Sequence, residues 1–177
     1  MRATTRLTCG LAAVTAALAL TACGTTTEAD DAKLGDCRTA SLKWRLELLG
    51  KDKADSRHRA RLTAVNKGPD TCVFGGYPGI EIHDGKAESI DGSGHGHPAS
   101  FPLDEGATVT VDVRYTPSGA KGAGTWCVRA SEAVVRAPHD SDGAVVPVLD
   151  RHRKPAVIDA CGETLALAPP HREPTGN

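Results

Sequence analysis

The sequence predicts an all-β domain, an antiparallel sandwich held by two disulfides, that follows an N-terminal export signal and a short tether. Two patterns predict the sandwich. Apolar and polar residues alternate with a period of two in several short segments, and turn-forming residues separate those segments. No stretch shows a convincing helical period. Four of the six cysteines lie among these segments, which adds the prediction of disulfides.

The N-terminus has the three parts of an export signal. Arg2 and Arg6 give it a positive start, residues 7–20 are mostly apolar, and Leu20-Thr21-Ala22-Cys23 resembles a bacterial lipobox. We therefore predict cleavage before Cys23, with a thioether-linked diacylglycerol on its sulfur and an acyl chain on its new amino group. The apolar run is shorter than the ~20 residues that a membrane-spanning helix needs. A plain secretory leader with an incidental cysteine is the alternative.

Composition divides the chain into four predicted segments. Residues 1–22 form the signal peptide, 23–36 a flexible polar tether, 37–168 the β domain, and 169–177 a polar, proline-containing tail that we expect to be disordered. The lipid on Cys23 predicts an exported protein at the extracellular face of the cytoplasmic membrane. Two or more acyl chains on one residue would hold it there stably.

Alternation is clearest in three places. Residues 42–48 place aromatic and aliphatic side chains on one face, residues 57–65 place alanine and leucine inward with arginines outward, and residues 108–115 place valines on one face. Stretches rich in glycine predict loops at 85–99 and 117–124. The predicted strands cover residues 42–48, 57–65, 72–74, 80–83, 108–115, 126–130, 133–137, 144–149, 156–158 and 164–167.

The cysteines fit an oxidising compartment. Cys9 leaves with the leader and Cys23 takes the predicted lipid, so an even number remains for disulfides. Three pairings of the remaining four are possible. We favour Cys37–Cys72 and Cys127–Cys161, because each closes a local loop of similar length. A zinc site is the alternative, and it lacks the Cys-x-x-Cys pair that such sites usually show.

Several of these residues form a pattern that resembles a known family. A strand ends at Asn66-Lys67-Gly68, Thr71-Cys72 follows, and Gly76-Tyr77-Pro78-Gly79-Ile80 comes next, with Cys37, Trp126-Cys127 and Cys161 around them. The spacing Cys-x-x-x-Gly-Tyr-Pro-Gly is the specific part. The pattern covers residues 37–167 and resembles the domain of unknown function family 4232, found in secreted and lipid-anchored proteins of actinobacteria. The resemblance implies an immunoglobulin-like fold with two disulfides, and it brings no catalytic residues.

Within this motif, Pro78 and Gly79 fit the two central positions of a type II turn, which needs a fixed φ at the first and a positive φ at the second. Tyr77 is then expected to close one end of the sandwich. The alternative is a ligand-facing loop. The family pattern leads us to expect an aromatic residue in the second strand, where this chain has His58.

A basic stripe is the most distinct predicted surface feature. Clustered guanidinium groups bind phosphates through paired hydrogen bonds, so one interpretation is a face that docks on an anionic wall polymer or membrane. The interpretation that we favour is an ordinary solvated sheet face, partly offset by Glu47. The stripe consists of Arg57, Arg59 and Arg61 on one strand, with Lys43 and Arg45 on its expected neighbour.

Three histidines are candidate metal ligands. His95 and His97 are two residues apart and would share one side of an extended strand, and His83 stands at the start of the same connection. Neutral imidazole is a common ligand for zinc, copper and nickel. The glycines between them predict a flexible loop, however, and metal sites need supported ligands. We therefore favour a solvated hairpin loop and predict no metal and no cofactor.

Function is predicted only in outline. The net charge of −1 argues against a nucleic-acid binder. Ser118-Gly119-Ala120-Lys121 matches a Ser-x-x-Lys nucleophile motif but lacks the two partner motifs that such enzymes need. We expect a monomeric, non-enzymatic binding module that meets a cell-wall polymer or an envelope protein. The alternative is a metal- or small-ligand-binding module that uses the loop from His83 to His97.

Overall fold

The computed structural model describes residues 34–52, 56–85 and 89–174. The predicted signal peptide and Cys23 lie outside these residues. Apart from a short 3₁₀ turn at Thr39–Ser41, the regular structure is all strand. The strands are β1 (Leu42–Lys51), β2 (His58–Asn66), β3 (Cys72–Phe74), β4 (Gly79–His83), β5 (Ser89–Gly94), β6 (Phe101–Leu103), β7 (Thr108–Thr116), β8 (Cys127–Ala130), β9 (Glu132–Arg136), β10 (Ala144–Leu149), β11 (Ile158–Leu167) and β12 (His171–Arg172).

Eight strands form one closed sheet, in the order β7-β2-β1-β10-β9-β4-β5-β11, with β11 pairing back onto β7. β12 and β8 extend this sheet at its seam, and β3 and β6 form a separate two-stranded sheet. The predictions of an all-β domain and of two disulfides are confirmed. The prediction of a purely antiparallel arrangement is wrong, because β1 pairs with β10 and β5 with β11 in parallel. Alternation within a strand predicts which face is buried, but it does not predict which strand pairs with it or in which direction.

The inside of the closed sheet is filled by the apolar face of each strand. On β2 the buried positions are every second residue, as predicted, and β7 contributes its valines. Trp44 and Leu48 of β1 pack at the border of this core. A second core cluster lies beside the Cys37–Cys72 disulfide and includes Phe74 and Leu103. These two clusters fix the inward faces, and therefore which side chains remain outside.

The segment 85–99, predicted as a long loop, contains β5. Its glycines are packing residues: a Cβ on Gly92 would lie 2.2 Å from the Ile80 methyl, and one on Gly94 would lie 2.3 Å from the Tyr77 ring. The absence of side chains therefore lets β5 approach its neighbours closely. Glycine content alone does not distinguish this role from flexibility, which is why the sequence predicted a loop.

Both ends of the domain extend beyond the predicted boundaries. The carbonyl of Gly35, in the predicted tether, accepts a hydrogen bond of 2.9 Å from Val73 N, so the last tether residues are ordered. In the predicted disordered tail, β12 pairs with β7. Arg172 Nη2 lies 2.6 Å from Asp104 Oδ2, and Glu173 accepts a hydrogen bond of 2.7 Å from Thr110. The polar composition of the tail predicted disorder. The residues that hold it in place are distant in sequence, so its own composition does not reveal them.

Two local predictions also differ from the structure. Gly79 is the first residue of β4 and pairs with Arg136, and the positive φ of the motif, 119°, belongs to Gly76. The predicted type II turn at Pro78 and Gly79 is therefore wrong, because pairing with β9 holds Gly79 extended. The strand predicted at 164–167 is the end of the longer strand β11, and of the strand predicted at 156–158 only the last residue, Ile158, belongs to β11.

Candidate functional site

The register of β1, β2 and β7 decides which side chains lie beside the arginines of the predicted basic stripe, and we call this outer surface of the three strands the basic face. On β2, Arg59 and Arg61 point outward because the alanine and leucine between and beside them point into the core. Across to β7, Arg59 lies opposite Arg114 and Arg61 lies opposite Asp112. Across to β1, Arg61 lies opposite Glu47. The predicted pairing of the two basic strands is therefore present, with acidic residues on both flanks.

Asp112 lies among the arginines of this face and forms ion pairs with two of them. Arg61 Nε donates a hydrogen bond of 3.0 Å to Asp112 Oδ1, and Arg59 Nη2 lies 3.5 Å from Asp112 Oδ2. Arg114 Nε lies 3.6 Å from Asp52 Oδ2 at the other end of the face. Neither Arg114 nor Asp112 was predicted from the sequence as part of this face, since β7 was expected only to supply core valines. The outward positions of β7 would have indicated that Asp112 and Arg114 lie beside the β2 arginines only if the pairing of β2 with β7 had been known.

The rest of the predicted stripe is spread out. Arg57 precedes β2 and so is not part of the strand's alternation. Lys43 and Arg45 lie on β1 opposite Val65 and Thr63. Because a strand rises about 3.3 Å per residue, Lys43 is separated from Arg61 by roughly 13 Å along the sheet. The structure therefore concentrates the arginines near β7, and leaves Lys43 near the far end of β1.

Next to the paired arginines is a concave surface of about 270 Å³, which we name the basic cleft. Arg59 and Arg114 line it with Asp112, His95 contributes from the segment after β5, and residues 166–168 lie beside Arg114, where β11 pairs with β7. Two arginines on directly opposed positions repel each other. The nearby carboxylates offset part of this repulsion, and the cleft leaves room for a further anion between the cationic groups.

The three candidate metal ligands do not come together. His83 ends β4 and lies opposite Ser89 at the start of β5, whereas His95 follows the end of β5. The length of β5 separates these two ends by roughly 17–20 Å. The Nδ1 of His83 lies 3.0 Å from the backbone carbonyl oxygen of Gly85, two residues along the chain. The loop from His83 to His97 therefore supplies no convergent set of imidazoles.

One group of potential ligands does converge in the described part of the chain. The ligand atoms of Cys127, Asp159 and Cys161 lie within 4.8 Å of one another. The two sulfurs, however, form a disulfide with each other. A disulfide sulfur has no thiolate to offer a metal, so this group is a cross-link and not a metal centre.

A buried phenol, that of Tyr115 on β7, belongs to the main core cluster. Burial raises the pKa of Tyr115 to about 12, and the carboxylate of Asp159 adds to the effect. The ring of His58, which takes the place of the expected aromatic residue, meets that of Tyr115 edge-on with centroids 5.7 Å apart. Tyr115 therefore stays protonated at neutral pH and serves as a packing residue.

The disulfides join Cys37 to Cys72 and Cys127 to Cys161, which is the pairing favoured from the cysteine spacing. Disulfides persist in oxidising compartments, so they indicate an extracytoplasmic environment. No helix in the described part of the chain has the length and apolar character needed to cross a membrane.

Comparison with known proteins gives one match. Residues 37–169 match the model of a domain of unknown function (DUF4232). A search of curated proteins and a search of solved structures each found no match. The matched range starts at the first disulfide cysteine and extends past the end of β11, so it takes in all eight strands of the closed sheet and stops before β12. With most of its length covered by this model, the chain belongs to the DUF4232 family.

Proposed function

We propose that this chain is a lipid-anchored, monomeric protein of the cell envelope whose domain binds an anionic group of a wall polymer and catalyses no reaction. The basic cleft carries this proposal. Arg59 and Arg114 are paired on the neighbouring strands β2 and β7, and His95 lines the same concavity. A phosphate or carboxylate between the guanidinium groups would accept paired hydrogen bonds and relieve their mutual repulsion.

Binding is favoured over catalysis because the carboxylate in the cleft is already paired with arginines. General acid–base chemistry needs a group that can give and take a proton at the substrate. In the described lining of the basic cleft, Asp112 is the carboxylate, and it is held by Arg59 and Arg61. Those ion pairs engage both of its carboxylate oxygens. The cleft is thus better suited to holding an anion than to activating water.

A polymer is favoured over a membrane surface because of shape. The cationic side chains line a concavity together with residues 166–168, so it has room for one phosphate or carboxylate. A flat anionic membrane is better met by a flat basic plane. Outside the cleft, Glu47 interrupts the positive charge of this sheet face.

The anchor is supported by the lipobox-like sequence and by where the ordered domain begins. Gly35 already pairs with β3, so residues 24–34 remain as the spacer after Cys23. A chain of that length spans at most roughly 40 Å when fully extended. The spacer would keep the domain near the membrane and within the inner part of the wall.

An immunoglobulin-like arrangement is part of the same proposal. β1, β2 and β7 lie side by side in the order expected of strands A, B and E, while β4, β9 and β10 follow the order C, F and G. The parallel contact between β1 and β10 is confined to Leu46–Val148 and Glu47–Leu149, which suits two sheets joined at their edges.

The binding proposal is tested by co-sedimentation of the full-length protein, in neutral detergent, with purified anionic wall polymer at low and at high salt. We expect salt-sensitive retention that Arg59→Gln/Arg114→Gln abolishes. Lys67→Gln/Lys121→Gln removes the same charge from exposed positions outside the cleft and should retain binding. Equal retention of both variants would refute the proposal, as would binding to anionic vesicles alone.

The anchor is tested by intact-mass analysis of the protein extracted from its native membrane. We expect the chain to begin at Cys23 and to carry the mass of a diacylglycerol and one acyl chain. A Cys23→Ala variant should lack that mass and appear in the soluble fraction. A wild-type chain cleaved elsewhere, or one without lipid, would contradict the anchor and leave the polymer-binding test intact.

A further inference from the structure

A second concave surface, of about 440 Å³, lies on another part of the molecule, beside the Cys127–Cys161 disulfide. We name it the indole cleft. No described residue lines both this cleft and the basic cleft. The lining of the indole cleft includes Thr125 and Trp126 before β8, Gly162 and Glu163 on β11, and Ser89 at the start of β5.

Trp126 is exposed although its backbone is firmly held. Its side chain is 48% exposed, and it is the one aromatic residue among the exposed large hydrophobics of the described chain. Its carbonyl accepts a hydrogen bond of 3.0 Å from Gly162 N, and the next residue, Cys127, is cross-linked to Cys161 directly across the strands. A ligand that contacts the indole therefore meets an aromatic residue whose backbone is already ordered, which lowers the entropy cost of binding.

The polar side-chain groups of the indole cleft have no partner among the described residues. Among the described residues, the indole N–H of Trp126 donates no hydrogen bond and the carboxylate of Glu163 forms no ion pair. Thr125 and Ser89 add exposed hydroxyls to the same surface. The cleft thus combines a flat apolar face with a nearby donor, a charged acceptor and two hydroxyls.

This combination suits a sugar ring. A pyranose has an apolar face of C–H groups, which can lie on an indole, and a rim of hydroxyls that both donate and accept hydrogen bonds. Among the described lining residues Glu163 is the charged one, and its carboxylate disfavours an anionic ligand. We propose that the indole cleft binds a neutral saccharide unit of an envelope glycan, with Trp126 as the stacking surface and Glu163 as the acceptor for its hydroxyls.

The probes are neutral tetrasaccharides of β-1,4-linked N-acetylglucosamine or glucose, titrated into the full-length protein in neutral detergent. Calorimetry measures binding, and indole fluorescence reports the site. We expect saturable binding that Trp126→Ala weakens by about tenfold or more, the loss typical of a central aromatic contact. Trp126→Tyr should restore part of the affinity, and Glu163→Gln should weaken it. Val145→Ala, an exposed apolar residue elsewhere, is the matched control and should bind as the wild type does.

Three results would overturn the proposal. These are an absence of saturable binding to either saccharide at millimolar concentration, equal binding by wild type and Trp126→Ala, and preferential binding of tetramethylammonium, which would indicate a cation site on the indole. The Arg59→Gln/Arg114→Gln variant should bind saccharide normally. Failure at the indole cleft and failure at the basic cleft are therefore observed separately.

Discussion

The phenol of Tyr77 donates a hydrogen bond of 2.8 Å to the backbone carbonyl of His95, just beyond the end of β5. The ring lies over Gly94, where a Cβ would come within 2.3 Å of it. The tyrosine of the Gly-Tyr-Pro-Gly motif therefore fastens the end of β5 and holds His95 at the rim of the basic cleft. Tyr77 acts here as a structural residue that positions a cleft residue.

Close packing at β5 makes its glycines sensitive to substitution. Gly92→Ala would place a methyl group 2.2 Å from Cγ2 of Ile80, a buried and β-branched side chain with little freedom to move. We expect the free energy of unfolding to fall by about 1–3 kcal/mol, as for an overpacked core. Urea unfolding followed by circular dichroism measures it.

Gly35→Ala is the matched control for that substitution. A Cβ at Gly35 meets nothing within 4 Å, so stability should change by less than ~0.5 kcal/mol. If Gly92→Ala unfolded at the same urea concentration as Gly35→Ala, β5 would not pack as described and segment 85–99 would be the loop that the sequence predicted.

The two disulfides close loops of nearly equal length, with sequence separations of 35 and 34. Chain entropy predicts that each stabilises the fold by roughly 3–4 kcal/mol. Replacing either pair by alanine, Cys37→Ala/Cys72→Ala or Cys127→Ala/Cys161→Ala, should lower the free energy of unfolding by a similar amount, measured in urea.

Thiol alkylation provides the companion measurement. Without reductant, the unfolded wild-type domain should leave all four of these cysteines unlabelled, and with reductant it should label all four. Labelling of a single pair without reductant would contradict one of the two cross-links.

Asp140 connects the 3₁₀ turn to the connection between β9 and β10. Hydrogen bonds from the backbone N–H of Thr39, at 2.7 Å, and from that of Asp142, at 3.2 Å, hold the pKa of the Asp140 carboxyl below its usual range, with help from Arg38. A lowered folded-state pKa adds stability that is present above the unfolded pKa of about 4 and is lost as the pH falls through the folded value.

We therefore expect Asp140→Asn to be less stable than wild type at pH 7, with the difference shrinking as the pH falls below about 4. Urea unfolding at several pH values measures the difference. Glu105→Gln, which removes an exposed carboxylate in the turn before β7, is the control and should show little difference at any pH. A gap between Asp140→Asn and wild type that is the same at pH 7 and at pH 2.5 would contradict this account.

The separation of His83 from His95 predicts weak metal binding. Because the ligands lie at opposite ends of β5, zinc or copper should bind no more tightly than about micromolar in calorimetry. Tight one-to-one binding that His95→Ala abolishes would show that the histidines converge after all.

The sequence by itself determined which face of most strands is buried. Alternation in β1, β2 and β7 is a local property of the chain, and the buried positions follow it. The cysteine count and spacing likewise sufficed for the disulfides, since each closes a local loop. These features depend on residues near one another in the chain, so a pattern in the sequence records them.

The tertiary structure decided which outward side chains meet. Arg61 and Asp112 are 51 positions apart, and their contact depends on the register of β2 against β7. The same kind of long-range pairing closes the sheet, converts a glycine-rich stretch into β5, and brings β12 onto β7. Because strand register depends on the packing of the whole core, the basic cleft and the indole cleft became visible only once the chain was folded.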